Sequence, residues 1–203
     1  MRNLPFSVPS LSALINGYDA WAPSYDRDVG ELGYCSPENV ADAVCRQVDH
    51  REALLLDVGA GTGLLGESLY RRGYRNMHGM DASHGMLTQA AHKGVYRMLS
   101  RMVLGRPLGF APRAFDGLMA AGVFSSGHVP PESFLELDRL VRPGGKVVFS
   151  LKWDGTSENI FVPMLNRMVR SRRWQQEAAS DLYTSWPGAD PALAARVLVY
   201  QVL

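Results

Sequence analysis

The segment Leu54-Leu55-Leu56-Asp57-Val58-Gly59-Ala60-Gly61-Thr62-Gly63 constrains the fold more than any other part of the chain. A short apolar run that ends in an acid and meets turn chemistry reads as a central strand of a parallel sheet, buried on both faces. Glycine at 59, 61 and 63 permits a tight turn and lets a ligand approach where a Cβ would collide. Leu64 and Leu65 then begin a helical pattern whose first N–H groups aim at the same place. Asp57 falls at the carboxyl end of the strand, beside the crevice in which open α/β sheets bind ligands. The expectation is a nucleotide-type pocket in a doubly wound α/β fold.

Spacing narrows the nucleotide. The dinucleotide fingerprint G-x-G-x-x-G would place its third glycine at 64, where this chain has Leu64. An ordinary NAD-binding oxidoreductase is disfavoured on that ground. No lysine follows the glycines, so a P-loop is excluded. The next apolar segment, Met77-His78-Gly79-Met80, ends in Asp81, an acid placed to hold ribose hydroxyls. Together these residues resemble the first two motifs of the class I S-adenosylmethionine-dependent methyltransferases.

That resemblance implies a Rossmann-like, doubly wound, seven-stranded sheet, mostly parallel with an antiparallel last strand, helices on both faces and an N-terminal helical lid. It implies S-adenosylmethionine as cofactor and S-adenosylhomocysteine as product. Asp57 would serve the methionine end, surrounded by Gly59, Ala60, Gly61, Thr62 and Gly63. Asp81 would hold the ribose beside Ala82. The pattern Asp-x-Ser-x-x-Met-Leu lays Met86 near the adenine, although a helical apolar residue reads equally well as core. Many members carry an acid after the third strand for the adenine amino group, but this chain has Leu104-Gly105-Arg106-Pro107-Leu108. Adenine is then left to backbone groups around Leu104 and Gly105 and to apolar stacking. The fourth strand, Phe115 to Gly122, would bring Ala121 and Gly122 to the transferable methyl.

The segment Tyr18-Asp19-Ala20-Trp21-Ala22-Pro23-Ser24-Tyr25-Asp26 resembles the entry of small-molecule methyltransferases, in which a helical lid closes over the cofactor. Tyr18 and Tyr25 are assigned to the cofactor on this basis, and Trp21 to packing the lid onto the domain. An aromatic face also attracts a sulfonium cation. With Leu56-Asp57-Val58-x-x-Gly61-Thr62-Gly63-Leu64 and His78-Gly79-x-Asp81-x-Ser83-x-Gly85-Met86-Leu87, the pattern is most similar to the methyltransferase-like group named for the Williams–Beuren syndrome region. That group brings no defined acceptor.

The remaining elements follow from punctuation. Ser10 is a plausible cap for a first helix ended by Pro23, and Ser36 caps a helix from Pro37 to Val48. Gly73 stops the helix after the glycine loop, and Gly94 the helix capped by Ser83. Tyr96 to Val103 reads as the third strand. Pro130 and Pro131 open a helix through Leu140, and Arg142-Pro143-Gly144-Gly145 turns into a fifth strand, Lys146 to Lys152. A helix from Glu158 to Arg173, a segment near Ala178 to Trp186 and a strand from Arg196 to Leu203 complete the chain. Residues 1–203 are expected to form a single domain: a lid over 1–35, a cofactor core over 36–152, and a C-terminal helix with a strand hairpin over 153–203.

Composition excludes several classes. A net charge of +1 gives no electrostatic case for nucleic acid. No apolar run reaches membrane-spanning length, Pro5 and Pro9 interrupt any secretory h-region, and the two cysteines form neither a disulfide framework nor a metal motif. A cytoplasmic protein without a metal centre is expected. Methyl transfer from a sulfonium is an in-line displacement, dominated by orientation and exclusion of water. A base is needed only for a hydroxyl, carbon acid or protonated amine. Where nucleic-acid amine methyltransferases carry an Asn/Asp-Pro-Pro-aromatic motif, this chain has Ala121-Gly122-Val123-Phe124-Ser125-Ser126-Gly127-His128. His128 is the candidate base, with a plain surface-loop histidine as the competing reading. The expected reaction is methylation of a small-molecule acceptor. The alternative is a non-methylating cofactor binder, either a regulatory partner or a cyclase-like enzyme.

Overall fold

The computed structural model describes residues 10–188 and 193–203. Pro5 and Pro9, and with them the reading of the N-terminus, lie outside the described residues.

The central strand expected from the glycine segment is β1 (Leu55–Val58), buried along its whole length. It lies in the middle of a parallel array with β2 (Met77–Asp81), β3 (Met98–Arg101), β4 (Phe115–Phe124) and β5 (Val141–Lys152). β8 (Ala194–Val202) joins antiparallel to β5, and β6 (Trp174–Ala179) and the short β7 (Tyr183–Thr184) both pair antiparallel with β8. The order is β3-β2-β1-β4-β5-β8-β6 with β7 beside β8, so among the described residues eight strands fill the seven positions of the expected sheet.

Helices cover both faces. α3 (Ser36–Gln47) and α4 (Leu64–Arg71) flank one side, where Val40, Val44, Leu65 and Leu69 are buried against Leu55, Val148 and Val199. α6 (Ser133–Leu140) and α7 (Ser157–Arg170) cover the other, around Phe124, Phe134, Phe149, Phe161 and Trp174. α5 (His84–Lys93) follows β2, and the lid consists of α1 (Leu11–Trp21) and α2 (Tyr25–Glu31).

Several local expectations are corrected. Ser36 does not cap α3; it is the first helical residue, and its Oγ accepts from the Tyr183 hydroxyl at 3.1 Å. The third strand begins at Met98, because Tyr96 turns its side chain inward beneath the glycine loop. Pairing jumps from Phe115↔Val141 to Gly117↔Lys146, so the Pro-Gly-Gly segment is a bulge looped out within β5 rather than a turn before it. The helix expected to reach Arg173 stops at Arg170, and Trp174 starts β6 because its indole is fully buried, with Nε1 donating to Asp138 at 2.8 Å. The arginines after α4 tie helices together: Arg72 bridges Glu38 and Asp42 of α3.

Candidate active site

Three strand ends and the lid enclose a cavity of about 220 Å³. Its position, at the carboxyl edge of a parallel sheet, follows from the right-handed crossovers that bring every βα loop to that edge.

The glycine loop is the floor. Gly59, Gly61 and Gly63 all have positive φ, at 67°, 55° and 90°, a region that a side chain adopts only with strain. Their surroundings differ. A Cβ on Gly61 would stand in open space, whereas one on Gly59 would lie 2.4 Å from Val123 Cγ2. One on Gly63 would lie 3.1 Å from the Tyr96 ring. Gly61 therefore presents bare backbone to a ligand, while Gly59 makes room for Val123 and Gly63 for Tyr96. Gly63 lines neither cavity at the site.

Asp57 ends β1 and is almost completely buried. Its Oδ2 accepts from the Tyr96 hydroxyl at 2.6 Å, while Oδ1 is buried without a hydrogen-bond partner among the described residues. Burial pushes its carboxyl up to about 7; the Tyr96 hydrogen bond opposes this and the neighbouring charge of Asp81 adds to it. Asp57 opens onto a second cavity of about 40 Å³, shared with Tyr25, Tyr34, Pro37, Ala60 and Thr62.

Asp81 ends β2 and lines the main cavity. Its Oδ2 accepts from Gly61 N at 2.9 Å and its Oδ1 from Ser83 N at 2.8 Å. The carboxylate thus clamps the glycine loop to the start of α5. Burial raises its pKa, against the backbone donors of Ser83, Gly61 and Ala82. Ala82 also lines the cavity. So does Met86, whose side chain is buried at the same time.

The lid is pinned from above. Asp19 Oδ1 accepts from Gly85 N at 2.8 Å and from Ser83 Oγ, which also accepts from Met86 N at 3.0 Å. Asp26 accepts from Thr62 Oγ and pairs with Lys93 at 2.7 Å. Tyr18 and Tyr25 then face the cavity, with Trp21 packed edge-on against Tyr25 at 4.7 Å. Trp21 is itself a lining residue and donates from Nε1 to Asp28, so packing is only part of its role.

On the other side of β1 the cavity extends over β4, β5 and β8. Ala121 and Gly122 line it, and Gly122 N donates to Ser150 Oγ at 2.9 Å. His128 is not a surface-loop histidine. Its Nδ1 is 2.8 Å from Ser125 Oγ, its Nε2 is 3.3 Å from the Tyr18 hydroxyl, and it lines the same cavity. Burial holds the imidazole below its ordinary value, with the Lys152 charge acting in the same sense and a hydrogen bond to Ser126 opposing. At the far end Tyr34 stacks on Trp186 with centroids 4.3 Å apart.

The structure brings Tyr18, Tyr25, Gly59, Gly61, Asp81, Ala82, Met86, Leu104, Ala121, Gly122 and His128 to one cavity. Asp57, Ala60 and Thr62 meet at the small one beside it. Gly105 is set apart from both: it occupies a left-handed turn, and a Cβ there would lie 2.7 Å from Pro130. Met102 and Val103, rather than Gly105, join Leu104 in the wall. Sequence reasoning missed Tyr34, Tyr96, Trp186 and the two latching aspartates. The repeated Tyr-Asp pair is the signal for the latches, and Gly66 within α4 is the trace of Tyr96.

Residues 56–149 match a family model described as a methyltransferase domain. The chain is 33% identical over 185 residues to methyltransferase-like protein 27 of Homo sapiens, covering 88% of this chain and 75% of that one. The chain belongs to the class I S-adenosylmethionine-dependent methyltransferases. A phosphatidylethanolamine N-methyltransferase of Cereibacter sphaeroides is 32% identical over 144 residues, covering 68% of this chain and 67% of the other. Among solved structures, magnesium protoporphyrin IX methyltransferase of Synechocystis PCC 6803 with bound S-adenosylhomocysteine superposes with a TM-score of 0.68. The two are 15% identical, and the alignment covers 93% and 94% of the chains, which establishes the shared fold. The cyclase SpnF has the same fold, with a TM-score of 0.63, 16% identity and coverage of 81% and 80%.

The methyltransferase cofactor is S-adenosylmethionine, and the residues present fit it. Asp57 Oδ1 is an orphaned carboxyl oxygen suited to an ammonium, and the open face of Gly61 is a cradle that a Cβ would fill. No helix among the described residues is long and apolar enough to cross a membrane.

Proposed function

We propose that this methyltransferase acts on a small-molecule acceptor held over β4, β5 and β8, with His128 as the group that takes the acceptor's proton. The observation that carries the reading is His128 itself, facing the cavity with Tyr18 and Ser125 on its two ring nitrogens. In the same proposal Asp57 receives the α-ammonium of the cofactor, Gly61 lies against it, Asp81 receives the ribose hydroxyls, and Met86 and Leu104 flank the adenine. When bound, S-adenosylmethionine supplies an electrophilic methyl on sulfur.

With Nδ1–H directed to Ser125 and Ser126, Nε2 keeps its lone pair toward the Tyr18 hydroxyl. Nε2 would accept the proton of a hydroxyl acceptor placed against this pair. Burial supports the role, because it keeps the imidazole neutral and proton-accepting near pH 7. The enclosing lid tyrosines exclude water and orient the reactants, which is worth up to ~7–11 kcal/mol in favourable cases. The division into a lid over 1–35, a cofactor core over 36–152 and a C-terminal part over 153–203 belongs to this reading, as does a cytoplasmic setting. The latches of Asp19 and Asp26 support the lid, and the free thiols Cys35 and Cys45 suit a reducing compartment.

Transfer of isotope-labelled methyl groups to a panel of small hydroxyl, thiol and amine acceptors tests the reading. Incorporation that is lost in His128→Ala supports it. Tight binding of S-adenosylhomocysteine with no transfer to any acceptor would favour a non-methylating binder instead.

A further inference from the structure

Tyr96 belongs to no motif, yet a lane has been cleared for it. A Cβ on Gly66 would lie 2.2 Å from its hydroxyl oxygen and one on Gly63 would lie 3.1 Å from Cε2, while one on Gly79 would meet Leu99 Cδ2 first, at 2.7 Å, with Tyr96 Cδ1 at 3.3 Å. Two of these glycines lie outside the glycine loop, in α4 and in β2. Glycine within a helix or a strand is unfavourable relative to alanine, so its presence needs a compensating contact. The contact here is a phenol ring threaded beneath the loop, ending 2.6 Å from Asp57 Oδ2.

This hydrogen bond decides which carboxylate oxygen is left over. Oδ2 is occupied, and Oδ1 remains the orphaned oxygen of a side chain that lines the small cavity beside the glycine loop. A buried carboxylate oxygen without a donor is a standing penalty that an N⁺–H donor relieves. We propose that Tyr96 is a positioning residue for the cofactor: its hydroxyl fixes the Asp57 carboxylate so that Oδ1 receives the α-ammonium of S-adenosylmethionine. The proposal rests on the assignment of Asp57 to the methionine end.

A pH signature follows. The titratable groups around Asp57 are Tyr96 from the segment before β3, Asp81 from β2, and Tyr25 and Tyr34 across the small cavity. Asp26, paired with Lys93, stands behind Thr62. Of the groups acting on the carboxyl, Tyr96 is the one that favours its ionised form. An ammonium binds the ionised form, so affinity is present above the carboxyl's midpoint and is lost as pH falls through it. Removing the phenol oxygen moves that midpoint upward.

The test is calorimetry of S-adenosylhomocysteine and of 5′-methylthioadenosine, which lacks the amino-acid end, with wild type and Tyr96→Phe between pH 6 and 8.5. The expected result for S-adenosylhomocysteine is about tenfold weaker binding by Tyr96→Phe at pH 7, because the carboxyl is then more protonated and its Oδ1 no longer held in place. The ratio of the two affinities should shrink as pH rises, and titration of the ligand's own ammonium cancels in it. Methylthioadenosine should bind both proteins equally at every pH. Equal loss of both ligands would make Tyr96 a packing residue and overturn the proposal, as would an unchanged affinity for S-adenosylhomocysteine. If Asp57→Asn leaves the affinity for S-adenosylhomocysteine unchanged, the assignment of Asp57 fails first, and the role of Tyr96 fails with it.

Discussion

Asp81, proposed above to receive the ribose hydroxyls, should do the most damage when removed, because it also clamps the glycine loop to the start of α5. Each of its oxygens already accepts one backbone N–H, from Gly61 at 2.9 Å and from Ser83 at 2.8 Å. Each keeps a second lone pair, and two ribose hydroxyls would use them. Hydrogen bonds to a charged acceptor are worth roughly 1.5–3 kcal/mol each, so two contacts less partial desolvation give about 3 kcal/mol. At 1.4 kcal/mol per decade, Asp81→Ala should weaken binding of S-adenosylhomocysteine by about a hundredfold or more. The same substitution frees Gly61 and Ser83, so the loss alone does not prove ribose contact. An analogue without the ribose hydroxyls separates the two effects in a double-mutant cycle. Wild type should lose most of the affinity for this analogue, and Asp81→Ala should weaken it further only by the part that belongs to the loop clamp, well short of the loss seen with the parent ligand. Calorimetry gives the four affinities, and thermal denaturation confirms that the variant folds. If the analogue is weakened by the substitution as much as the parent ligand is, Asp81 is a loop clamp and the ribose assignment is wrong.

His128→Ala should reduce methyl transfer to a hydroxyl acceptor by about 10²–10⁴ while leaving affinity for S-adenosylhomocysteine within about twofold. The wild-type rate should hold to a lower pH than an ordinary imidazole would allow, because burial depresses this one, and should fall as His128 protonates. Gly122→Ala must place a side chain at φ 73° with its Cβ 2.2 Å from the Tyr34 hydroxyl, while Tyr34 is stacked on Trp186. It should impair transfer more than cofactor affinity, as read from turnover and calorimetry on one preparation. Trp174→Ala opens the core beneath Phe134 and Tyr200 and removes the donor to Asp138. About 3–5 kcal/mol of lost stability and a fall in Tm of roughly 10 °C should appear in thermal denaturation, with cofactor affinity preserved at low temperature.

The centre of the fold was legible because its signals are local. A buried parallel strand needs a continuous apolar run, a βα turn at a ligand site needs glycine, and both are written within ten residues of Leu54. Asp81 and Ser83 were legible for the same reason: acid, small residue and cap occupy consecutive places at one strand end. Legibility failed where a residue's role depends on what lies across the sheet. Trp174 reads as the continuation of a basic helix end, yet a cavity among Phe134, Phe149 and Tyr200 makes it a strand residue. Tyr96 reads as a strand position, and the absence of a side chain at 66, inside α4, marks its path. Gly105 was placed beside the adenine by its chain position, but Pro130, arriving from a distant loop, occupies the space at its Cα.

The lid shows how a single local pattern can carry two functions that the sequence presents as one. In both Tyr-Asp pairs the tyrosine is turned to the cavity and the aspartate to a helix or loop that holds the cofactor side of the site. Asp19 reaches the amino end of α5, where a carboxylate is favoured by unpaired N–H groups and the helix dipole. Asp26 reaches Thr62 in the glycine loop and Lys93 at the end of α5. The two latches therefore grip the same two elements that Asp81 ties together from below, through Gly61 and Ser83. Lid, glycine loop and α5 form one hydrogen-bonded unit around the cavity. A change in any of the three acids should be felt at the other two, and the Tyr18 hydroxyl carries the unit on to His128 across the cavity.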